Sequence, residues 1–147
     1  MHIIKQSKYL IKIWDTCGQE QFRSLTTNYF RNAEGVILAY DITDENSFFS
    51  LKIWLNSLKT NCPENIPKII IGNKTDSEHR VVTTKSAKAF ADTNKTKYFE
   101  TSAKNNENVN EAFNYLFLEM IDYKKEITRD SVMISPKRES VKPKCSC

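Results

Sequence analysis

Glycine is scarce in this chain, with three in 147 residues. None of the three, Gly18, Gly35 or Gly72, is followed by Lys-Ser or Lys-Thr, and the first stretch, MHIIKQSKYLIK, has no glycine at all. These residues therefore lack the glycine-rich turn whose backbone N–H groups and lysine cradle a nucleotide's phosphates. No apolar run approaches the ~20 residues of a membrane-spanning helix. The N-terminus shows neither the apolar core nor the small-residue cleavage site of a secretory signal, so the expected compartment is the cytosol. Four cysteines, at positions 17, 62, 145 and 147, make no paired CxxC and no ladder, which argues against a zinc site or a disulfide scaffold. In a cytosolic protein the NKT triplets at Asn73 and Asn94 are not glycosylation acceptors.

What remains is ordinary for one globular unit, with 39% hydrophobic and 11% aromatic residues. The net charge of +4 is unevenly placed. Residues 1–123 hold 15 basic and 15 acidic side chains, whereas residues 124–147 hold 7 and 3. A neutral body at 1–123 with a flexible basic tail at 124–147 points to a membrane surface as partner rather than a nucleic acid. Composition alone leaves open that the tail is simply a solvated segment.

Lys8 to Trp14 alternates as a strand does, and Met1 to Lys5 is placed to pair with it as a hairpin across Gln6-Ser7. The short apolar runs Gly35 to Tyr40 and Lys68 to Gly72 suit strands buried on both faces of a parallel sheet, with Tyr98 to Thr101 as a weaker fourth. Helical spacing covers Ser47 to Leu58 and Thr84 to Asp92. It is clearest from Val109 to Ile121, where Val109, Ala112, Phe113, Leu116, Phe117 and Met120 form one stripe. The periodicity stops after Tyr123. Alternating strands and helices predict an α/β fold whose ligand lies beyond the carboxyl ends of the strands.

Three motifs fall at those ends. Asp15 and Gly18 suit a carboxylate holding a metal-bound water and a backbone N–H approaching a phosphate. The Gln19 amide both donates and accepts, as orienting a water requires. Asn73, Lys74 and Asp76 follow KIIIG. An ionised carboxylate there accepts from two adjacent donors, the pattern guanine offers and adenine does not, while a lysine stem can lie over a base. Ser102, Ala103 and Lys104 follow the last strand. Each motif alone also fits a polar turn.

In this order and context, DTCGQ, NKTD and TSAK resemble the small GTPase superfamily, and the chain is most similar to the Rab family. LIKIWDT, Phe22-Arg23-Ser24, Tyr29-Phe30-Arg31, the strand ending Asp41-Ile42-Thr43, Asn46-Ser47-Phe48, Trp54-Leu55 and Glu100-Thr101 add to the likeness, as does the terminal Cys145-Ser146-Cys147. Cys17, Gln21 and Ser77 depart from the usual alanine, arginine and leucine, and none of the three removes a ligand.

The resemblance implies a small GTPase fold of the P-loop NTPase type, a mostly parallel sheet flanked by helices, with GTP or GDP and Mg2+ as ligands. By it, Asp15 meets Mg2+ through water, Gly18 donates to the γ-phosphate, and Gln19 positions the hydrolytic water. Asn73, Lys74 and Asp76 select guanine with Ser102, the Ala103 N–H and Lys104. Trp14, Phe22 and Tyr29 belong to the surface that effectors read, with core packing as the alternative role for Trp14 and Tyr29. Cys145 and Cys147 resemble the double geranylgeranyl signal, where two lipid chains anchor what one holds only marginally. The implied partners are effectors, an exchange factor, a GTPase-activating protein, the prenylation escort, a GDP-dissociation inhibitor and the cytosolic face of an endomembrane. The expected form is a monomer that does not bind nucleic acid.

Small GTPases begin with a strand, the phosphate loop, a helix and a loop carrying a Mg2+-binding threonine, all of which precede the resemblance here. The expectation is an N-terminally truncated Rab lacking its first strand, phosphate loop and first helix. That loss opens a slot in the sheet between the strand ending at Trp14 and the one ending near Asp41. It also leaves an alternative, a non-enzymatic, prenylated interaction protein unable to bind GTP.

Overall fold

The computed structural model describes residues 2–4, 7–16 and 29–133, with side chains from 9–16 and 29–128. Strand β1 (His2–Ile4) pairs antiparallel with β2 (Ser7–Tyr9), His2 opposite Tyr9 and Ile4 opposite Ser7. The hairpin expected from the sequence is present, with Ser7, expected in its turn, paired in β2 instead. A second sheet orders β3 (Val36–Asp41), β4 (Lys68–Asn73) and β5 (Lys97–Thr101) side by side and parallel. Its connections carry α1 (Glu45–Asn61) and α2 (Thr84–Thr93), and α3 (Val109–Met133) follows β5.

The local chemistry explains these elements. Asp44 caps α1 by accepting from the Asn46 N–H at 2.9 Å, and its buried Leu51, Leu55 and Leu58 fall at the i, i+4, i+7 spacing. Thr83 caps α2 in the same way, accepting from the Ser86 N–H. Central strand β4 shows why an unbroken apolar run was needed. Ile70 packs with Leu38, Tyr40, Leu51 and Ala87 on one face, while Ile69 and Ile71 pack with Ala112 and Leu116 on the other. Ile69 and Ile70 are fully buried, and burying each contributes roughly 1.5–3 kcal/mol.

Two expectations are corrected. The strand expected from Lys8 to Trp14 ends at Tyr9, because pairing with β1 ends there and Leu10 to Thr16 finds no ladder partner among the described residues. A strand persists only where its N–H and C=O groups are bonded. Leu10, Ile13 and Trp14 are left 84%, 68% and 66% exposed. Helix α3 runs twelve residues past Ile121, to Met133. The added turns need no apolar stripe, because Lys124 pairs with Glu34, Lys125 with Asp122, and the Thr128 hydroxyl donates to the Lys124 carbonyl.

The two sheets are separate, and between them lies a cavity of about 1900 Å3. Its walls are the 10–16 segment, the free edge of β3, Leu51 and Trp54 of α1, and Phe113 and Phe117 of α3. This is the slot anticipated between Trp14 and Asp41.

Candidate functional site

The carboxyl ends of β4 and β5 converge. The Thr75 N–H donates to the Thr101 carbonyl at 3.1 Å, so the turn after β4 continues the ladder for one more bond. Asn73 Oδ1 accepts from the Ala103 N–H at 3.0 Å and from Thr101 Oγ1 at 3.2 Å. Ser102, fully buried, donates to Asp76 Oδ1 at 2.6 Å and accepts from the Asn105 N–H at 3.0 Å. Lys104 Nζ stands 3.7 Å from Asp76 Oδ2. Asn73, Asp76, Ser102, Ala103 and Lys104 thus form one cluster. The Ala103 N–H, assigned to a guanine carbonyl by the resemblance, is here donated to Asn73.

The Ser102 hydrogen bond, aided by Lys104, holds the Asp76 carboxyl below the usual carboxylate range. Asp76 is therefore an acceptor at neutral pH, with Oδ1 committed to Ser102 and Oδ2 3.7 Å from the Lys104 ammonium. A carboxylate so held suits a ligand edge bearing adjacent N–H donors.

Lys74 has a left-handed backbone, φ 71°, which turns the chain sharply out of β4. Its ammonium reaches Asp41 Oδ2 at 2.6 Å, while Asp41 Oδ1 accepts from the N–H and hydroxyl of Thr43. Burial pushes the Asp41 carboxyl up, but the bonds from Lys74 and Thr43 outweigh it and hold the group below its usual range. Hydrogen bonding to Asp41 raises Lys74 in turn. Neither Asp41 nor Thr101 was given a role by the sequence, although Thr101 opens TSAK and Asp41 lies in a stretch that adds to the likeness. Their signal was position, since each ends a parallel strand on the side where such sheets bind ligands.

Beneath the cluster lies a partly buried polar network that reaches the surface at Arg80. Tyr40 and Tyr98 share a hydroxyl hydrogen bond of 2.8 Å across Gly72, and Tyr98 donates to Glu100 Oε1 at 2.9 Å. Arg80 grips Glu100 with two bonds, 2.8 and 3.1 Å, and Thr84 adds a third at 2.7 Å. This braces β5 one residue before Thr101.

The remaining candidates lie apart. Asp15 is exposed on the 10–16 segment that lines the cavity. It belongs to no group of three potential metal ligands among the described residues. Trp14 and Tyr29 do come together, ring centroids 5.2 Å apart and both exposed. Gly18, Gln19, Phe22, Cys145 and Cys147 lie outside the described residues.

Comparison with known proteins bears on the family of the chain. The family model described as "Ras family" matches residues 2–122. The Ras-related protein RABD2b of Arabidopsis thaliana is 50% identical over 104 residues, 70% of this chain and 52% of that protein. GTP-binding protein YPTM2 of Zea mays is 48% identical over 104 residues, 70% of this chain and 51% of that protein. Ras-related protein Rab-8B of Dictyostelium discoideum is 47% identical, with the same two shares. The chain spans about half the length of the curated relatives it matches.

Proposed function

The chain belongs to the Ras family, and we propose that its work is that of a Rab-type guanine-nucleotide switch in vesicle traffic, hydrolysing GTP to GDP. The carrying observation is Asp76, held as an ionised acceptor by buried Ser102 beside Asn73, Ala103 and Lys104. That geometry accepts guanine's two adjacent N–H donors and offers adenine no match. Lys74, drawn aside by Asp41, presents its aliphatic stem at the same rim.

At the phosphate end we assign Gly18 to a phosphate oxygen, Gln19 to orienting water and Asp15 to Mg2+ through water. Mg2+ supplies positive charge that offsets the phosphates. Trp14, Phe22 and Tyr29 are the surface we assign to effectors. Geranylgeranyl groups on Cys145 and Cys147, with Lys137, Arg138, Lys142 and Lys144, attach the protein to the cytosolic face of an endomembrane. Exchange factor, GTPase-activating protein, prenylation escort and GDP-dissociation inhibitor complete the cycle.

The exposed, stacked pair Trp14 and Tyr29 also suits a second reading, a prenylated interaction protein that binds no GTP. Protein purified from its own cells in detergent separates the two. Heat-released GDP or GTP near one per chain, with an intact mass showing two lipids, supports the switch. Adenine nucleotide or none overturns it, and lipidated, nucleotide-free protein supports the interaction reading.

A further inference from the structure

The parallel sheet gives the molecule two unlike ends. At one lie the carboxyl ends of β3, β4 and β5, the turns that follow them, and Asn108, whose side chain donates to the Glu100 carbonyl just before α3 begins. At the other lie the strand starts. Helix α1 returns there, since the Cys62 thiol after it donates to the Phe30 carbonyl and the Pro67 carbonyl accepts from Val36, the first residue of β3. Helix α2 returns there too, through Lys95 and Thr96 directly into β5. On the opposite face α3 runs the same way. Its Tyr115 lies under Lys97, the first residue of β5, and its Lys124 pairs with Glu34, just ahead of β3.

Charge divides along the same axis. Around the ligand end, residues 41–45, 74–85 and 100–111 hold eight acidic and four basic side chains. At the strand starts, residues 31–35, 59–68 and 92–97 hold five basic and three acidic, and residues 119–147 add seven basic and five acidic. Lys59, Lys95 and Lys97 are exposed at that end, and none of the three is ion-paired among the described residues. The carboxylates of Glu34 and Asp122 are already held by Lys124 and Lys125. Strands of six residues, β3 and β4, keep the two ends about 20 Å apart. That is roughly twice the ~8–10 Å over which physiological salt screens a charge. A flat charged surface therefore senses one end at a time.

We propose that the strand-start end, with Lys59, Lys95 and Lys97 at its rim, is a docking surface for an anionic lipid bilayer. Charge complementarity selects this end and rejects the other, whose surplus of carboxylates an anionic surface repels. Residues 134–147, which follow α3, hold four basic side chains and one acidic, so tail and body present the same sign to the same plane. Each exposed lysine brought close to such a surface contributes about fivefold to partitioning. Docked in this way, the cluster around Asp76 and Ser102 faces away from the bilayer and stays open to soluble partners. The docking rests on the membrane reading of the tail and extends it from the tail to the folded body.

Lysine footprinting tests it. The full chain, with a C-terminal histidine tag, is held on phosphatidylcholine vesicles containing a nickel-chelating lipid, with phosphatidylserine either absent or about a third of the lipid. Brief acetylation read by mass spectrometry then reports each lysine. Lys59, Lys95 and Lys97 are expected to react at least ~3-fold more slowly on the anionic vesicles, and exposed Lys85, at the ligand end, equally on both. Equal rates at the three lysines overturn the proposal, as does matching protection at Lys85. Without the tag, the chain is expected to sediment with the anionic vesicles and to lose at least ~10-fold in partitioning when Lys59→Gln, Lys95→Gln and Lys97→Gln are combined, while Lys85→Gln changes nothing. Binding lost on replacing Lys137, Arg138, Lys142 and Lys144 with glutamine, yet kept in full by the triple variant, would leave the tail as sole anchor and overturn docking of the body. An untagged chain that ignores anionic vesicles, while the tethered one shows the expected footprint, would remove the membrane reading of the tail and support the docking face.

Discussion

Ser102 Oγ donates to Asp76 Oδ1 across 2.6 Å, tying together two turns 26 residues apart in sequence. Ser102 is fully buried, so its hydroxyl has no water to turn to, and its bond gives Asp76 a fixed orientation and the largest single cause of its depressed pKa. Ser102→Ala removes this donor and also the acceptor for the Asn105 N–H. The expected cost is about 1 kcal/mol of stability for the buried hydroxyl's bonds. In nucleotide-loaded protein, the preference for guanine over adenine should fall about tenfold. Competition between GDP and ADP reads the second effect, and an unchanged ratio would remove Ser102 from base selection.

The strands after residue 35 were legible because burial on both faces forces runs such as KIIIG, and because parallel strands end where motifs sit. Helical spacing placed the helices nearly as well, but the caps Asp44 and Thr83 were not read, and α1 starts two residues before Ser47 and ends three after Leu58. Lys8 to Trp14 was misread for a physical reason. Alternation reports strand propensity, but a strand exists only beside a partner, and sequence pattern does not show whether one is within reach. The far end of α3 was missed because ion pairs and side-chain-to-carbonyl bonds sustain it, not an apolar stripe. Within the site, NKTD and SAK announced their residues. Asp41, which holds Lys74 from another strand, carried no motif.

Gly72 lies directly beneath the paired tyrosines. A Cβ there would sit 2.7 Å from the hydroxyl oxygens of both Tyr40 and Tyr98, closer than real Cβ contacts come. Gly72→Ala should therefore break the 2.8 Å Tyr40–Tyr98 bond and cost about 1–3 kcal/mol as overpacking. Tyr98→Phe alone should cost about 1 kcal/mol by removing the bonds to Tyr40 and Glu100. In the double variant the clash with one hydroxyl is gone, so it should cost less than the sum of the two single variants. Urea unfolding of the four proteins decides it, and strict additivity would mean that Gly72 is required for some other reason.

Helix α2 ends with Asn94 as its cap, and the next residue, Lys95, has φ 51°. The Lys95 N–H donates to the Asp92 carbonyl and the Thr96 N–H to that of Ala91, both at 3.0 Å, the paired bonds of a Schellman ending. Glycine adopts that left-handed position without the clash lysine suffers, at the expense of a freer unfolded chain. Lys95→Gly should stabilise the protein by about 0.5–1 kcal/mol. Thermal unfolding measures it, and a lower melting temperature would show that the lysine side chain has a compensating contact.

The acid limb of stability should centre on the carboxylates that brace β3, β4 and β5. Burial pushes Glu100 up, but bonds from Arg80, Thr84 and Tyr98 and the Arg80 charge outweigh it and leave the group below its ordinary 4.5. Asp41 and Asp76 lie below their ordinary 3.8. A depressed carboxylate binds a proton more readily in the unfolded chain, so folding gains above the ordinary value and loses as pH falls through the depressed one. Stability should hold from neutrality to about pH 5 and fall below it. Tyr98 is the opposite case. Burial, then the Tyr40 and Glu100 contacts, raise it far above its ordinary 10.0, so its contribution is complete below that value and would be lost only as pH climbs toward the folded pKa. Glu100→Gln keeps the shape but abolishes the titration, and should leave a shallower acid slope with the alkaline limb still governed by tyrosine. Urea midpoints from pH 3 to 8 measure the slope, and a slope as steep as the parent's would place the acid sensitivity elsewhere than in the Arg80–Glu100 brace.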